Sequence, residues 1–235
     1  MEVLQYFLGA VKDLGDVMQA MLSSSSPARK KQHNGKIVRV LFLPGFCAPQ
    51  HTRLYVPLKT RLENLGCQIF DHPLTWHQYN FGDMQENVEI LTTFCNRHEI
   101  SLIVGHSYGG DVGYHTHFAT GIPTVSLASP LVLIPLAAKA HAMLGIDMNK
   151  SWRMDVIAKC LKCKKDGGQT VPLLSVHSST DRIVPRASTL ALGARPVRRF
   201  ANGHGTIVLN RTLASLILQF RRNVHRRKPC VICTA

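Results

Sequence analysis

Short apolar runs alternate along most of the chain with longer segments in which apolar residues recur at helical spacing. The first such run, residues 37–43 (IVRVLFL), is rich in β-branched and aromatic residues and ends at Pro44-Gly45, which predicts a strand. The same pattern predicts further strands at 67–70, 102–104, 125–128, 173–176 and 197–200. Helices are predicted at 52–65, 83–97, 108–120 and 206–222. Apolar strands that alternate with helices are typical of an α/β protein whose mostly parallel central sheet has helices on both faces.

The same pattern divides the chain into three parts. Residues 1–34 hold an amphipathic helix, predicted at about 2–22, and a serine-rich basic linker. This helix is expected to pack on the domain, with a position in a membrane interface as the alternative. Residues 35–223 form the α/β domain, and residues 224–235 form a basic tail that contains cysteines. Within the domain, the segment at about 130–170 is longer than a crossover helix needs, and it is predicted to form either a helical cap or an ordinary core-covering helix.

The charge of the chain bears on its partners more than on its fold. The 235 residues include 28 Lys or Arg and 14 Asp or Glu, which gives a net charge of +14. Hydrophobic residues make up 45% and charged residues 18%, a composition that excludes wholesale disorder. No apolar run reaches the roughly 20 residues of a membrane-spanning helix. From residue 195 onward there is no Asp or Glu at all. Because no nucleic-acid-binding motif accompanies this basic excess, no nucleic acid is expected as a partner. Two interpretations of the basic tail stay open: a solvated basic surface, or peripheral association with an anionic membrane.

The cysteines and the start of the chain indicate a reducing compartment. Seven is an odd number of cysteines, so they cannot all pair within one chain, and free thiols are expected. The start does not resemble a secretory signal, and the predicted location is cytoplasmic, with membrane association in addition. Two C-x-x-C pairs, Cys160/Cys163 and Cys230/Cys233, leave three interpretations open: a zinc site, S-acylation of the pair beside the basic tail, or unmodified thiols.

The strongest chemical signal is a glycine-rich turn between a predicted strand and a predicted helix. The segment 101–110 reads SLIVGHSYGG and contains Gly105-x-Ser107-x-Gly109, the pattern of a nucleophile elbow. A serine on so sharp a turn has a strained backbone, and Cβ atoms two residues to either side would collide, so glycine is needed at both positions. The helix that follows directs its first N–H groups toward developing negative charge. A phosphate-binding turn or a plain loop remains the alternative.

A nucleophilic serine needs a base, and the base needs an orienting acid. With a nucleophile elbow these residues follow one another along the chain in the order Ser, Asp or Glu, His, so the acid is sought after Ser107. No glutamate follows Ser107, so the candidate acids are five aspartates: Asp111, Asp147, Asp155, Asp166 and Asp181. Asp181 is favoured because it follows a predicted strand, and loops at the carboxyl ends of parallel strands carry functional groups. A turn or helix-cap aspartate is the alternative interpretation.

Two histidines, His204 and His225, follow Asp181 in the chain. His225 lies in the cationic tail, where neighbouring charge would oppose protonation of the ring. His204 is flanked by Gly203 and Gly205, which allow a loop to bring its ring over the edge of the sheet. His204 is therefore the favoured base, with a structural histidine as the alternative.

Four motifs together make the chain resemble α/β-hydrolase-fold serine hydrolases, nearest in pattern to small lipases and esterases. They are Leu43-Pro44-Gly45-Phe46, Gly105-His106-Ser107-Tyr108-Gly109-Gly110, Asp181-Arg182-Ile183-Val184-Pro185 and Gly203-His204-Gly205. The resemblance implies the α/β-hydrolase fold, with a possible helical cap.

The resemblance also assigns roles to residues. It implies Ser107 as the nucleophile, His204 as general base and acid, and Asp181 as the carboxylate that orients it. It implies an oxyanion hole formed by the backbone N–H groups of Phe46 and Tyr108. Many relatives have His-Gly where this chain has Pro44-Gly45, so Cys47 is an alternative to Phe46 as the first donor.

The expected function is hydrolysis of carboxylic esters, acyl or lipid, through an acyl-enzyme on Ser107, with a small-molecule acyl ester or lipid as substrate. The resemblance requires no metal and no organic cofactor. A thioesterase or an acyltransferase would use the same triad. A hydrolase-fold protein without catalytic activity, serving as a binding or membrane-associated module, is the alternative from a different class.

Overall fold

The computed structural model describes residues 37–45, 53–71, 83–131, 173–181, 183–184, 198–200 and 203–224, with the backbone alone described at 198–200. Several sequence predictions lie outside these residues: the amphipathic helix at 2–22 and its linker, nearly all of the cap region, both C-x-x-C pairs, and the basic tail beyond residue 224. Phe46 and Cys47 also lie outside them. The division into three parts, the membrane association and the cytoplasmic location therefore stay predictions. Within the described ranges, no helix combines the length and the apolar character that crossing a bilayer requires.

The centre of the molecule is a parallel sheet. Its strands are β1 (Val38–Leu43), β2 (Cys67–Asp71), β3 (Leu102–His106), β4 (Thr124–Leu127), β5 (Leu173–Ser178) and β6 (Arg198–Phe200). The six strands lie in the order β2-β1-β3-β4-β5-β6, and every neighbouring pair is parallel. All six predicted strands are thus confirmed, with ends that differ by one or two residues.

Helices cover both faces of the sheet. They are α1 (Val56–Asn64), α2 (Met84–Arg97), α3 (Tyr108–Thr120) and α4 (Leu213–Val224), with a 3-10 turn at Thr206–Leu209. Helices α1 and α4 and the 3-10 turn pack on one face, and α2 and α3 pack on the other. Strand β1 shows why a continuous apolar run is needed in such a sheet. Val40 and Phe42 pack in the core on the face of α1 and α4, whereas Leu41 and Leu43 pack in the core on the face of α2 and α3.

The last predicted helix, 206–222, is wrong as a single element. The chain forms the 3-10 turn first, and α4 begins only at Leu213. The Asn210 side chain accepts a hydrogen bond from the Thr212 N–H at 3.0 Å, which offers the backbone a turn in place of a continued helix. The Arg61 guanidinium of α1 also donates to the Leu209 and Asn210 carbonyls at 2.9 and 3.2 Å, which ties this break to the face of the domain.

The strand order creates a crevice at the carboxyl ends of β1 and β3. From β1 the chain crosses to β2 on one side, and it then returns to β3 on the other side of β1. The loops that leave the carboxyl ends of β1 and β3 therefore run in opposite directions and open a gap between them. Functional groups of parallel sheets lie at such a reversal of strand order. Gly45 follows β1 here, and Ser107 follows β3.

Candidate active site

Ser107 occupies the turn between β3 and α3. Its backbone has φ 52° and ψ −127°, a conformation that strains a residue with a Cβ atom. The neighbouring strand holds the turn, because the Ser107 N–H donates to the Leu127 carbonyl at 2.8 Å. Residues His106 and Tyr108 on either side are buried, whereas Ser107 is of intermediate exposure. The turn therefore presents the serine hydroxyl and buries its neighbours.

The two glycines of the motif allow this turn to form. A Cβ atom on Gly105 would lie 2.3 Å from the Gly109 carbonyl oxygen. One on Gly109 would lie 2.2 Å from the carbonyl oxygen of Pro44, in the loop after β1. Both contacts are with backbone, which cannot rotate away, so glycine is required for α3 to begin this close to the sheet.

His204 lies between Ser107 and Asp181. Its Nε2 is 2.9 Å from the Ser107 Oγ, and its Nδ1 is 2.9 Å from the Asp181 Oδ2. An ionised carboxylate only accepts hydrogen bonds, so Nδ1 carries the proton and donates it to Asp181. When the ring is neutral, Nε2 is unprotonated and accepts the hydrogen bond of the Ser107 hydroxyl. The structure thus brings together the three residues that the sequence favoured, from the turn after β3, the loop after β5 and the loop before the 3-10 turn.

The surroundings of Asp181 favour its ionised form. Its side chain is fully buried, and its Oδ1 accepts the N–H groups of Ile183 and Val184 at 2.9 and 2.8 Å. Burial by itself raises the pKa of this carboxyl, but the His204 ring and the two backbone donors outweigh that effect and bring the pKa below its usual value. Asp181 therefore accepts three hydrogen bonds as a buried carboxylate.

The arrangement has the groups by which hydroxyl nucleophiles are activated. A hydroxyl is hydrogen-bonded to an imidazole, and the imidazole to a carboxylate. Tyr108 is the first residue of α3, so its N–H belongs to the amide groups at the positive end of the helix dipole. Its role in an oxyanion hole, with Phe46 or Cys47 as the other donor, stays a prediction.

Among the other candidate acids and bases, the structure describes Asp111 alone, and Asp111 does not join this arrangement. Asp111 is fully buried on α3, where its Oδ1 lies 3.9 Å from the His115 Nε2. Three candidates, Asp147, Asp155 and Asp166, lie outside the described residues, as does His225. In the described ranges, no cluster of three His, Cys, Asp or Glu side chains is suited to hold a metal ion.

Sequence reasoning missed two further residues at the site, Tyr55 and His106. Both are buried: Tyr55 is hydrogen-bonded to His106, and His106 to the backbone carbonyl of His204. The position of His106 inside the Gly105-x-Ser107 motif could have pointed to it. Tyr55 lies just before α1, and no signal in its own segment connects it to the elbow.

Comparisons with known proteins bear on the fold. The sequence matches no protein-family model, and the search of curated proteins finds no match for it. Solved structures do match. A metagenomic α/β-hydrolase enzyme from lagoon sediments of Mar Chica, Morocco, is 12% identical with a TM-score of 0.57, covering 84% of this chain and 100% of that one.

Two matching structures come from named organisms. A carboxylesterase of the thaumarchaeon Nitrososphaera gargenis is 11% identical with a TM-score of 0.56, over 80% of this chain and 91% of that one. The esterase domain of a Rhodothermus marinus protein is 17% identical with a TM-score of 0.52, over 79% and 87%. Together with the parallel sheet, these likenesses show that the chain has the α/β-hydrolase fold, as the motifs implied.

The geometry of the elbow predicts that alanine lowers the free energy of unfolding much more at Gly109 than at Gly121. Gly109→Ala is expected to lower the free energy of unfolding by more than about 3 kcal/mol, because its Cβ meets fixed backbone. Gly121→Ala is the matched control: Gly121 lies at the end of α3 with φ +70°, and a Cβ atom added there would meet no other atom within 4 Å. Backbone strain alone should cost this control about 1–2 kcal/mol. Urea denaturation measures both, and equal losses would show that the close approach at Gly109 is not a constraint.

Asp111 predicts a dependence of stability on pH. Burial raises the pKa of this carboxyl well above its usual value of 3.8. At pH values between the ordinary pKa, which holds in the unfolded chain, and the higher pKa in the folded protein, the folded protein keeps a proton that the unfolded chain releases. Stability therefore falls as pH rises, by up to about 1.4 kcal/mol per pH unit. Asp111→Asn removes this effect, so the variant should gain stability relative to the parent protein as pH rises above about 4.

Urea denaturation of both proteins across that range is the measurement. Any fixed cost of an amide at this position shifts the whole curve and leaves the difference in slope intact. A stability difference that does not change as pH rises from about 4 would contradict a raised pKa for Asp111.

Proposed function

We propose that this protein is a serine hydrolase that cleaves carboxylic esters, acyl or lipid, through an acyl-enzyme. The observation that carries the proposal is the unbroken hydrogen-bonded path from the Asp181 Oδ2 through both nitrogens of His204 to the Ser107 Oγ. The intermediate exposure of Ser107 supports it, since a substrate must reach the hydroxyl. Esterases and a carboxylesterase among the matching structures support an ester as the substrate.

In the first half-reaction, the Ser107 Oγ attacks the ester carbonyl carbon while its proton passes to the His204 Nε2. The positive imidazole lies against the buried Asp181 carboxylate, which stabilises it. The tetrahedral intermediate then collapses: the bond from carbon to the alcohol oxygen breaks, and His204 gives its proton to that oxygen. The alcohol leaves, and the acyl group stays on Ser107 as an ester.

In the second half-reaction, a water molecule takes the place of the alcohol. His204 removes a proton from the water as it attacks the acyl carbon, and then returns that proton to the Ser107 Oγ as the bond to serine breaks. The carboxylic acid leaves and the enzyme is regenerated. In both halves, the developing oxyanion would be held by backbone N–H groups, with Tyr108 at the start of α3 as one donor.

Labelling with a fluorophosphonate tests the nucleophile. The purified, folded protein should be labelled on Ser107 and should turn over short p-nitrophenyl esters, and Ser107→Ala should abolish both. Ser101→Ala is the matched control, because Ser101 precedes the opposite end of β3 and donates only a long bond of 3.3 Å to the Arg39 carbonyl. It should keep both activities.

The results also separate the alternatives. A labelled protein that prefers thioesters, or that passes the acyl group to an added alcohol, would be a thioesterase or an acyltransferase. A folded protein that is neither labelled nor active on any ester would contradict the enzyme hypothesis and leave a binding role.

The triad predicts the effects of its other two members. His204→Ala should lower kcat by about 10⁴- to 10⁶-fold and Asp181→Asn by about 10⁴-fold, because the first removes the base and the second the carboxylate that orients it. Asp111→Asn and His225→Ala are the matched controls and should keep kcat within a few-fold. Steady-state kinetics on a soluble ester measures all four. Loss of activity in His225→Ala with retention in His204→Ala would show that the base is assigned wrongly.

A further inference from the structure

A second hydrogen-bonded chain lies behind the nucleophile. The Gly45 N–H donates to the Tyr55 hydroxyl at 2.8 Å, and that hydroxyl lies 3.0 Å from the His106 Nδ1. The other ring nitrogen of His106 lies 3.0 Å from the backbone carbonyl oxygen of His204. Tyr55 is fully buried, and His106 is 3% exposed. The proposed triad does not use any of these bonds.

The two ends of this chain, together with the neutral charge of His106, determine the direction of every bond in it. The His204 carbonyl can only accept, so the His106 Nε2 must carry a proton and donate it. Burial lowers the pKa of His106 to about 3, so the ring is neutral and Nδ1 carries no second proton. The Gly45 N–H can only donate, so the Tyr55 oxygen accepts it and gives its own proton to the His106 Nδ1. His106 is thereby held in one neutral tautomer.

The chain joins three loops that each contribute to the site. Gly45 belongs to the loop after β1, His106 to the turn that carries Ser107, and the accepting carbonyl to the loop that carries His204. The junction is tight at Gly45, where a Cβ atom would lie 3.0 Å from both the His106 Nδ1 and the Ser107 Cβ. The Gly45 N–H is also committed to Tyr55, so it is not available to bind an oxyanion.

Two adjacent residues consequently hold His204 at two points. Ser107 contacts its side chain through Nε2, and His106 contacts its main chain through the carbonyl oxygen. The bonds of the ring to Ser107 and Asp181 hold the imidazole but not the main chain behind it. The bond from His106 to the His204 carbonyl holds that main chain, and so opposes movement of the loop.

We propose that His106 and Tyr55 are positioning residues: through the His204 carbonyl they keep the imidazole aligned with the Ser107 hydroxyl. This inference rests on the proposed function, because the alignment matters for rate only if His204 is the base. A displacement of about 1 Å in such a group lowers catalysis by about 10²-fold. The neutral state of His106 belongs to the same role. Its ring centroid lies 5.1 Å from that of His204, and a charge there would oppose the positive charge that His204 gains during acylation.

Two substitutions at His106 separate the two ends of its ring. In His106→Gln the amide nitrogen takes the place of Nε2 and keeps a donor for the His204 carbonyl. In His106→Asn the shorter amide keeps a partner for Tyr55 and loses the bond to His204. Both variants remove the ring, and each is the control for the other. Tyr55→Phe keeps the ring that packs against Phe42 and removes the hydroxyl alone. It therefore tests the hydrogen bond from Tyr55 to His106 with little change in side-chain volume.

The expected result is a rescue by glutamine. With a soluble ester, kcat should fall by about 10²-fold in His106→Asn and by less than about 10-fold in His106→Gln, with KM little changed in both. Tyr55→Phe should lower kcat by about 10-fold, because the His106 ring then loses the partner that orients it. Equal values of kcat in the asparagine and glutamine variants, or losses that follow the decrease in thermal stability, would overturn the proposal.

A spectroscopic measurement keeps this inference separate from the proposed function. Long-range ¹H–¹⁵N NMR spectra should show His106 as a neutral ring protonated on Nε2. Both variants lose the ring current of His106, so the ring signals of His204 should move in both, and further in His106→Asn because it alone also loses the bond to the His204 carbonyl. If the parent protein is inert to esters and to the phosphonate, the proposed function fails, and these spectra alone decide the positioning role. Equal changes of the His204 signals in the asparagine and glutamine variants would refute that role whatever the activity.

Discussion

The site depends on the close approach of the start of α3 to the carboxyl ends of β1 and β3. A side chain on Gly105 or Gly109 would penetrate backbone atoms, so the approach exists only because two glycines stand there. It forces Ser107 into a backbone conformation with positive φ, and the bond from its N–H to the Leu127 carbonyl helps to hold it there. The buried packing of α3 stabilises the strained turn, and the turn directs the serine hydroxyl toward the His204 loop.

Two imidazoles lie side by side at this turn, and their partners give them different chemistry. His204 has a carboxylate on one nitrogen and a hydroxyl on the other, so it can accept a proton and be stabilised when charged. His106 has a backbone carbonyl on one nitrogen and a tyrosine hydroxyl on the other, with no carboxylate in direct contact among the described residues. Its surroundings keep it neutral, which suits it to hold a loop in place. The difference lies in the contacts of the rings, since the side chains are the same.

Two buried carboxylates show the same principle. Asp181 accepts two backbone N–H groups and the His204 ring, and these donors lower its pKa despite burial. Asp111 is fully buried on α3, and burial raises its pKa. Hydrogen-bond donors and burial therefore move the pKa values of two buried carboxyls in opposite directions.

The sequence by itself determined the succession of strands and helices along the chain and the position of the elbow. Apolar periodicity and the Gly-x-Ser-x-Gly pattern act through residues that are close together in the chain. It also limited the acid to five aspartates, since no glutamate follows Ser107. The tertiary structure alone decided which of these groups meet. His204 reaches Ser107 across 97 positions and His106 reaches Tyr55 across 51, contacts that depend on how the strands are ordered in the sheet. For the same reason the break before α4 escaped sequence analysis: apolar spacing continues through 206–222, whereas Asn210 and the distant Arg61 end the first turn there.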